Sequence, residues 1–562
     1  MNDEPILGIW GYSSDSPQVM HHDSGAAIII GGKITAAVNE ERITRKKNEG
    51  CWPAESIRYV ISASGITPLD IRRIAMAGLS PLSRSALMIR ELVTLFRQTG
   101  IVLPNRWLYS LLTAKKIRRF GPLDISAPIS FVGHHDAHAA SAFFTSQFPS
   151  ACVVTLDGIG DSAICGGVYI GKGNSLKCIR SFNGYASLGL LYSSVTKAFG
   201  FRPARHEGKI TGLAAMGDSN ILINKFRDLL RYENRRLVSE VIPRLFMQRV
   251  DAEWKTEWID EMMDTHSRED IAAALQRHTE EIASAIVRDA LEDTGEKNAA
   301  LAGGVFANVR VNQKILEIVP GKLWIHPNMG DGGLCVGAAL HIAKKQIELK
   351  DVYLGETAGE ASVSSLERAG LIEIKDKSVA AAAAKALSKG FIVGRAAERM
   401  EYGPRALGNR TIFAEADDAS INDTLNKRLK RTEFMPFAPI MTESAAKKYL
   451  KGWSSSDEPS RFMTITYDVT DSCREDAPAI VHVDGTARPQ VVRDDSGFLK
   501  ELLVEYGRIT GKEILINTSF NMHEEPIVRT AEDAIRSFES GAVDLLIIEN
   551  KLYKPKKILS EL

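Results

Sequence analysis

Two stretches of the chain follow one pattern. "DSGAAIIIGGKI" (23–34) and "DSAICGGVYIGKGNSL" (161–176) each open with Asp-Ser, run through an apolar strand and turn back at a glycine-containing hairpin. A hairpin exposes an apolar face that it cannot bury alone. Its recurrence therefore predicts an internal duplication, two copies of one strand-meander-plus-helices unit. "ILGIWGY" reads as a strand ahead of the first hairpin and "ACVVTL" as one ahead of the second; "ISFVG" is a strand that feeds a helix. Helices are expected around 53–64 and 81–98, and "DIAAALQRHTEEIASAIVRDALEDTG" is an amphipathic helix ending at Gly295.

At 562 residues the chain exceeds what one hydrophobic core organises. Between 343 and 365 the sequence turns polar and loses its period, which places a boundary near 350 and predicts domains 1–349 and 350–562. The second part alternates helices with short strands, among them "FIVGRA", "EILINTS" and "LLIIEN", and reads as an α/β domain. The 70 basic and 70 acidic residues cancel, so nothing argues for nucleic acid or an anionic membrane as partner. Six scattered cysteines form no CxxC, consistent with a reducing cytoplasm. No stretch reaches the ~18 apolar residues of a membrane span, and "MNDEPILGIWGYSS" lacks a secretory pattern.

The densest chemistry lies in "GHHDAHAASAFF" (133–144). His134 and His138 are four apart and share one helix face, while His135 points about 100° away. Two imidazoles on one face are half a metal site. Asp157 in "VVTLDGIGD" and Asp331 in "NMGDGG" supply oxygen ligands from strand-end loops, where open α/β sheets place their ligands. Two His and two Asp suit Fe(II), Zn(II) or Mn(II). The competing explanation is that both aspartates cap turns.

Four glycine-rich segments, "DGIGD" (157–161), "GKITGLAAMG" (208–217), "AGGVFAN" (302–308) and "GDGG" (330–333), offer backbone N–H groups to phosphates. They make Gly158, Lys209, Gly212, Gly303, Gly304 and Asn308 the candidate nucleotide contacts. No GxxxxGK[ST] is present, which excludes a P-loop enzyme. "NEERITRKKN" (39–48) is either a solvated charge run or an anion clamp. In the second domain, arginines sit in Gly/Pro-bounded loops: Arg405 and Arg410 in "EYGPRALGNRTIF", Arg428, Lys430 and Arg431 in "NKRLKRTEFMPFAP", and Arg488 in "DGTARPQVV". Asn517, Ser519 and Asn521 follow a buried strand in "NTSFNMHEEPIV". Guanidinium forks match phosphate oxygens bidentately, so this domain is expected to bind a small, multiply charged anion.

In this order, "HHDAHAASAFF", "VTLDGIGD", "HEGKITGLAAMG", "AGGVFANVRVN", "GPRALGNR", "PFAP", "ARPQ" and "NTSFN" resemble the NodU/CmcH-type O-carbamoyltransferases over nearly the whole chain. The resemblance implies an α/β chain with a duplicated actin-like (ASKHA, Kae1-like) N-terminal domain and a YrdC-like C-terminal domain. It implies that the second domain makes carbamoyl-adenylate from carbamoyl phosphate and ATP. The first then transfers the carbamoyl group to a hydroxyl of a small-molecule acceptor beside a divalent metal, usually Fe(II). Carried over, His134, His138, Asp157 and Asp331 are the metal ligands. Arg405, Lys430, Arg488, Asn517 and Ser519 hold carbamoyl phosphate and ATP. His22 and Lys47 line the acceptor and adenylate site, with His22 as base and Lys47 and Arg405 as catalytic groups. Where many relatives read Arg-Pro-Phe before "AP", this chain has Met435-Pro436-Phe437, so Arg428 or Arg431 is needed as substitute or the donor binds differently. The alternatives are an actin/sugar-kinase-type ATPase and a non-catalytic nucleotide-binding protein. Neither the acceptor nor the choice between monomer and homodimer is written in the sequence.

Overall fold

The computed structural model describes residues 4–11, 22–78, 125, 127–161, 164–239, 257–431 and 435–556. The expected helix at 81–98 lies outside them. The described residues form two compact units, Met1–Glu41 with Asn48–Lys350, and Arg42–Lys47 with Asp351–Leu562. Arg42–Lys47, which the sequence reading places in the first domain, thus groups with the second unit.

The first unit holds two five-stranded sheets. One consists of β1 (Ile6–Trp10), β2 (Gly25–Ile30), β3 (Lys33–Asn39), β4 (Arg73–Ala77) and β5 (Ile129–Val132), in the order β3-β2-β1-β4-β5. The other consists of β6 (Ser150–Leu156), β7 (Ile164–Lys172), β8 (Ser175–Asn183), β11 (Ala299–Ala302) and β12 (Leu323–Ile325), in the order β8-β7-β6-β11-β12. Strands β9 (Arg231–Glu233) and β10 (Arg236–Val238) form a separate small hairpin. In each sheet the first strand pairs antiparallel with the hairpin and parallel with the next strand. The two Asp-Ser hairpins, β2–β3 and β7–β8, therefore occupy the same place in two copies. Two sheets of one strand order are the duplicated actin-like arrangement. Nearly every residue of β1, β2, β6 and β11 is buried, because helices cover these strands.

Helix α1 (His134–Thr145) follows β5 and packs on β6, β7 and β11. Next come α2 (Leu188–Ala198), α3 (Glu207–Ala214), α4 (Arg268–Thr294) and α5 (Val309–Leu316). Helix α6 (Leu334–Ala343) follows β12 and packs on β1, β2 and β4. Each copy's terminal helix thus covers the other copy's sheet, and α1 and α6 touch. The alanines of α1 allow it: Ala137, Ala139, Ala140 and Ala142 are fully buried, and the Ala137 carbonyl rests against Gly337, where a Cβ would come within 2.0 Å. Helix α4 stops where expected, at Gly295 in the left-handed conformation (φ 67°).

The second unit carries β13 (Leu371–Ile374), β14 (Val393–Ala396), β15 (Arg410–Ala414), β16 (Ala438–Thr442), β19 (Gln490–Val492), β20 (Ile514–Ser519), β21 (Leu545–Ile548) and β22 (Lys551–Pro555). They form one mixed sheet in the order β13-β22-β21-β14-β15-β20-β16-β19. Strands β17 (Tyr467–Asp468) and β18 (Thr486–Ala487) pair separately. Helices α7 (Val379–Leu387) and α9 (Phe498–Thr510) pack together over the sheet, and α8 (Ile421–Leu429) and α10 (Ala531–Glu539) complete the unit. Ala383, Ala384 and Leu387 meet Leu502, Leu503 and Tyr506 above Val393, Phe413 and Leu515. Each fully buried leucine there contributes about 2 kcal/mol.

One glycine segment differs from its sequence reading. "GKITGLAAMG" is not an open phosphate loop: Gly208 to Ala214 lie within α3, and Gly212 is buried there with its helix. A single glycine costs a helix about 1 kcal/mol, and the burial of Ile210 and Leu213 outweighs that.

Candidate functional site

The two halves of the histidine–aspartate constellation come from different copies of the repeat. Helix α1 supplies His134 and His138; Asp157 ends β6 and Asp331 precedes α6. One ligand atom from each of the four lies within 4.8 Å of the others. The Nε2 atoms of His134 and His138 are 3.2 and 3.1 Å from Asp157 Oδ2, and 3.5 and 3.6 Å from Asp331 Oδ1. Ligands about 2.1 Å from one cation stand at most about 4.2 Å apart, so the set fits a divalent ion after a small adjustment. Burial disfavours the His138 imidazolium, but its contacts with Asp157 and Asp331 outweigh that and raise its pKa to about 9. Burial likewise opposes the Asp157 charge, yet the two histidines hold its carboxyl well below the usual carboxylate range. A cation entering here displaces protons.

Neighbouring groups fix these ligands. Asp161 accepts the His134 backbone N–H at 3.0 Å, and Trp10 meets the His134 ring edge-on at 5.5 Å. Gly160 lies against that ring, and a Cβ there would stand 2.7 Å from His134 Cδ2. Ser187, at the start of α2, donates to the carbonyls of Asp157 and Gly158. Asn39 donates to the Gly332 carbonyl at 3.3 Å and accepts from Asn328 at 3.2 Å, holding the Asp331 loop. Sequence reasoning missed these groups; only the position of Asn39 at the head of a charge run was a signal. His135 is separate: its ring spans Thr155 and the Ile164 carbonyl, and burial drives its pKa down to about 3. It is a neutral core histidine.

His22 lies beside the cluster, with Nδ1 3.0 Å from Asp23. Burial opposes its charge, but Asp331, Asp23 and Asp157 prevail and push its pKa up to about 10. An imidazolium cannot accept a proton, so the base role requires a cation to neutralise those carboxylates.

The candidate nucleotide contacts divide. The Gly158 N–H is 2.6 Å from Asp157 Oδ1. Gly303 (φ 108°) sits on the Leu156 carbonyl, and Gly304 on the Asp157 carboxylate. All three glycines thus shape the aspartate turn. Asn308 caps α5 and exchanges hydrogen bonds with Gln276. The Lys209 ammonium lies 5.5 Å from the centre of the Phe201 ring.

The first half of the charge run 39–48 is not solvated: Glu40, Glu41 and Arg42 are 2, 6 and 3% exposed, while Arg45 and Lys47 are half-buried and Lys46 is exposed. Glu40 accepts from the Glu55 and Ser56 N–H groups, capping the helix Ala54–Ala63.

In the second unit, the loop that carries Arg405 is clamped on its backbone. Buried Glu401 accepts the N–H groups of Leu407, Asn409 and Arg410 through one oxygen. Tyr353 and Gln490 donate to the Leu407 carbonyl, and Asn517 donates to the Ala406 carbonyl and to Gln490. Gly403 and Gly408 hold φ of 118° and 120°, which only glycine adopts without strain. Within this cage the half-buried Arg405 side chain has no hydrogen-bond or ion-pair partner among the described residues. Burial alone lowers its pKa to about 10. The Asn517 Oδ1, buried and without a hydrogen-bond partner among the described residues, belongs to the same network.

The other arginines are occupied. All Arg410 donors end on backbone carbonyls, those of Glu356, Ala397, Glu398, Asn409 and Arg529. Arg431 binds Thr518, Ser519 and Asn521, including the Ser519 hydroxyl, and Arg428 pairs with Asp544. Neither is free to replace an arginine at Met435. Lys430 is exposed in the left-handed position that ends α8, and Arg488 is half-buried between β18 and β19.

Residues 17–340 match the Carbamoyltransferase N-terminus family model and residues 384–555 the Carbamoyltransferase C-terminus model. The chain belongs to the carbamoyltransferase family, and it is a transferase. It is 33% identical to nodulation protein NolNO of Sinorhizobium fredii over 560 residues, 97% of this chain and 80% of that protein. It is 32% identical to nodulation protein NolO of Bradyrhizobium diazoefficiens over 433 residues, 74% of this chain and 78% of that protein. Among solved structures it resembles T. kodakarensis HypF at 14% identity and a TM-score of 0.34, across 61% of this chain and 48% of that one. The actin-like assignment rests on the strand order, not on that distant match. No helix among the described residues is long and apolar enough to cross a membrane.

Proposed function

We propose that this carbamoyltransferase works in two steps. In the second unit, water cleaves carbamoyl phosphate to carbamate and phosphate, and the carbamate oxygen attacks the α-phosphate of ATP to give carbamoyl-adenylate and pyrophosphate. In the first unit, the carbamoyl group passes to a hydroxyl of a small-molecule acceptor and AMP leaves. The observation that carries the first step is Arg405: a guanidinium without a partner among the described residues, on a backbone clamped from all sides, is pre-organised for an anionic donor. Asn517 holds the Arg405 loop, while Lys430 and Arg488 add positive charge for phosphate groups. Ser519, bound to Arg431, fixes the turn after β20.

In the transfer step, His134, His138, Asp157 and Asp331 hold the divalent metal, Fe(II) by the family resemblance. When bound, the metal supplies Lewis acidity toward a carbonyl or phosphate oxygen. His22, once neutral, takes the acceptor hydroxyl proton at Nε2, since Nδ1 is held by Asp23. By the family resemblance Lys47, which groups with the second unit, adds positive charge for the adenylate where it forms. A carbamoyl-adenylate is a mixed anhydride that water destroys, which favours making and using it within one chain.

The test is pyrophosphate release, with and without carbamoyl phosphate and acceptor. Arg405→Ala should abolish carbamoyl-phosphate-dependent release. His134→Ala should retain most of it and fail to carbamoylate a surrogate alcohol. Equal loss of release in both variants contradicts the division between units.

A further inference from the structure

Arg42–Lys47 lies more than 300 residues before the rest of the second unit, yet it packs as part of it. Its two guanidinium groups meet backbone carbonyls, and Arg45 also pairs with a carboxylate. Buried Arg42 donates to the Gly403 carbonyl at 2.8 Å. Arg45 donates to the Pro526 carbonyl at 2.8 Å and to that of Ile527, and its Nε is 3.6 Å from Asp533. Gly403 is two residues before Arg405 and opens its loop. Pro526 and Ile527 close the turn that follows Asn517 and Ser519 of β20, in which the Asn521 side chain donates to the Glu525 carbonyl. One six-residue segment thus holds the two loops that carry the donor-site candidates. The backbone is left-handed on both sides of Lys47, at Arg45 within the segment (φ 62°) and at Asn48 just after it (φ 56°). Side chains other than glycine hold that conformation at about 1 kcal/mol each only when surrounding contacts fix it. The Arg45 clamp and the Asn48 N–H bond to Glu41 at 2.8 Å do so here.

We propose that Arg42 and Arg45 are positioning residues of the carbamoyl-phosphate site. By clamping the Gly403 and Pro526–Ile527 carbonyls they set the distance between the Arg405 loop and the turn after β20, and they aim the main chain that bears Lys47. The inference rests on the reading of Arg405 as the donor-binding residue. It implies that residues 351–562 do not hold a complete donor site without Arg42–Lys47.

The experiment uses the full chain and carbamoyl-phosphate-dependent pyrophosphate release, with Arg405→Ala run in parallel. Arg42→Met and Arg45→Met should raise the KM for carbamoyl phosphate by about tenfold to a hundredfold, the scale of a misplaced binding loop. The KM for ATP should stay within about threefold, and guanidinium ion should partly restore the Arg45→Met donor KM. Arg45→Lys keeps the charge but reaches one carbonyl instead of two, and should give an intermediate KM. It decides the matter if either methionine variant fails to fold. An unchanged KM in Arg45→Lys and in the folded methionine variants, while Arg405→Ala has lost release, overturns the proposal and leaves the Arg405 reading standing. Full release by Arg405→Ala overturns the underlying reading itself.

Discussion

A single methyl group at Gly160 tests the candidate metal centre without replacing a ligand. A Cβ there would stand 2.7 Å from His134 Cδ2 and 2.8 Å from Cγ. Carbon atoms rest at about 3.5 Å or more, so the ring or the loop must move by about 0.8 Å. Metal–ligand distances tolerate only about 0.2 Å. The ring has little room to yield, because Trp10 packs edge-on against it and Asp161 holds its backbone N–H. Gly160→Ala should therefore weaken metal binding by about tenfold to a hundredfold, the usual effect of disturbing the groups that orient a ligand, with the fold kept. His138→Ala, which deletes a ligand, should lose most of the metal. Gly330→Ala is the comparison: it adjoins Asp331, but its Cβ would meet nothing within 4 Å, and metal content should stay at the parent level. The assay is elemental analysis of untagged protein after dialysis against a graded chelator series, with circular dichroism to confirm folding. A folded Gly160→Ala that retains metal like the parent would refute the placement of the cation between α1 and the aspartate loops.

Two further predictions concern stability. Arg410→Met should destabilise the second unit by about 3–5 kcal/mol in urea unfolding, because it leaves buried carbonyls without donors; a loss below about 1 kcal/mol would show that Arg410 is not structural. His135, His278 and His326 are pushed down, chiefly by burial, to about 3, 4 and 3. Their folded pKa values lie below the unfolded value of about 6.5. Their stabilising effect is therefore complete above pH 6.5 and is lost as pH falls toward 4, at about 4 kcal/mol per pH unit for the three together. Urea midpoints from pH 7 to 4.5 should show this slope, and His278→Gln should remove about a third of it.

The duplication was legible because strand pairing leaves a local trace: a period of two, a turn residue at a fixed place, and an Asp-Ser at each strand mouth. The end of α4 at Gly295 was legible for the same reason. So was the pairing of His134 with His138, since four residues bring two side chains to one helix face whatever the helix packs on. That Asp157 and Asp331 reach those histidines was an expectation from residue type; only the folded chain decides it, because β6 and the β12–α6 loop belong to the second copy while α1 follows the first. The arginines show the limit most plainly. Arg405 and Arg410 stand five apart in one motif and look alike in sequence. Tertiary structure surrounds Arg410 with five carbonyls and leaves Arg405 with no partner among the described residues, so one becomes scaffold and the other a candidate for chemistry. The charge run 39–48 shows it too. Composition places such a run in water, but Glu40, Glu41 and Arg42 are buried because each meets a backbone group that would otherwise lack a partner. A local pattern records which groups a residue can offer; which partners arrive is set by chain segments hundreds of residues away.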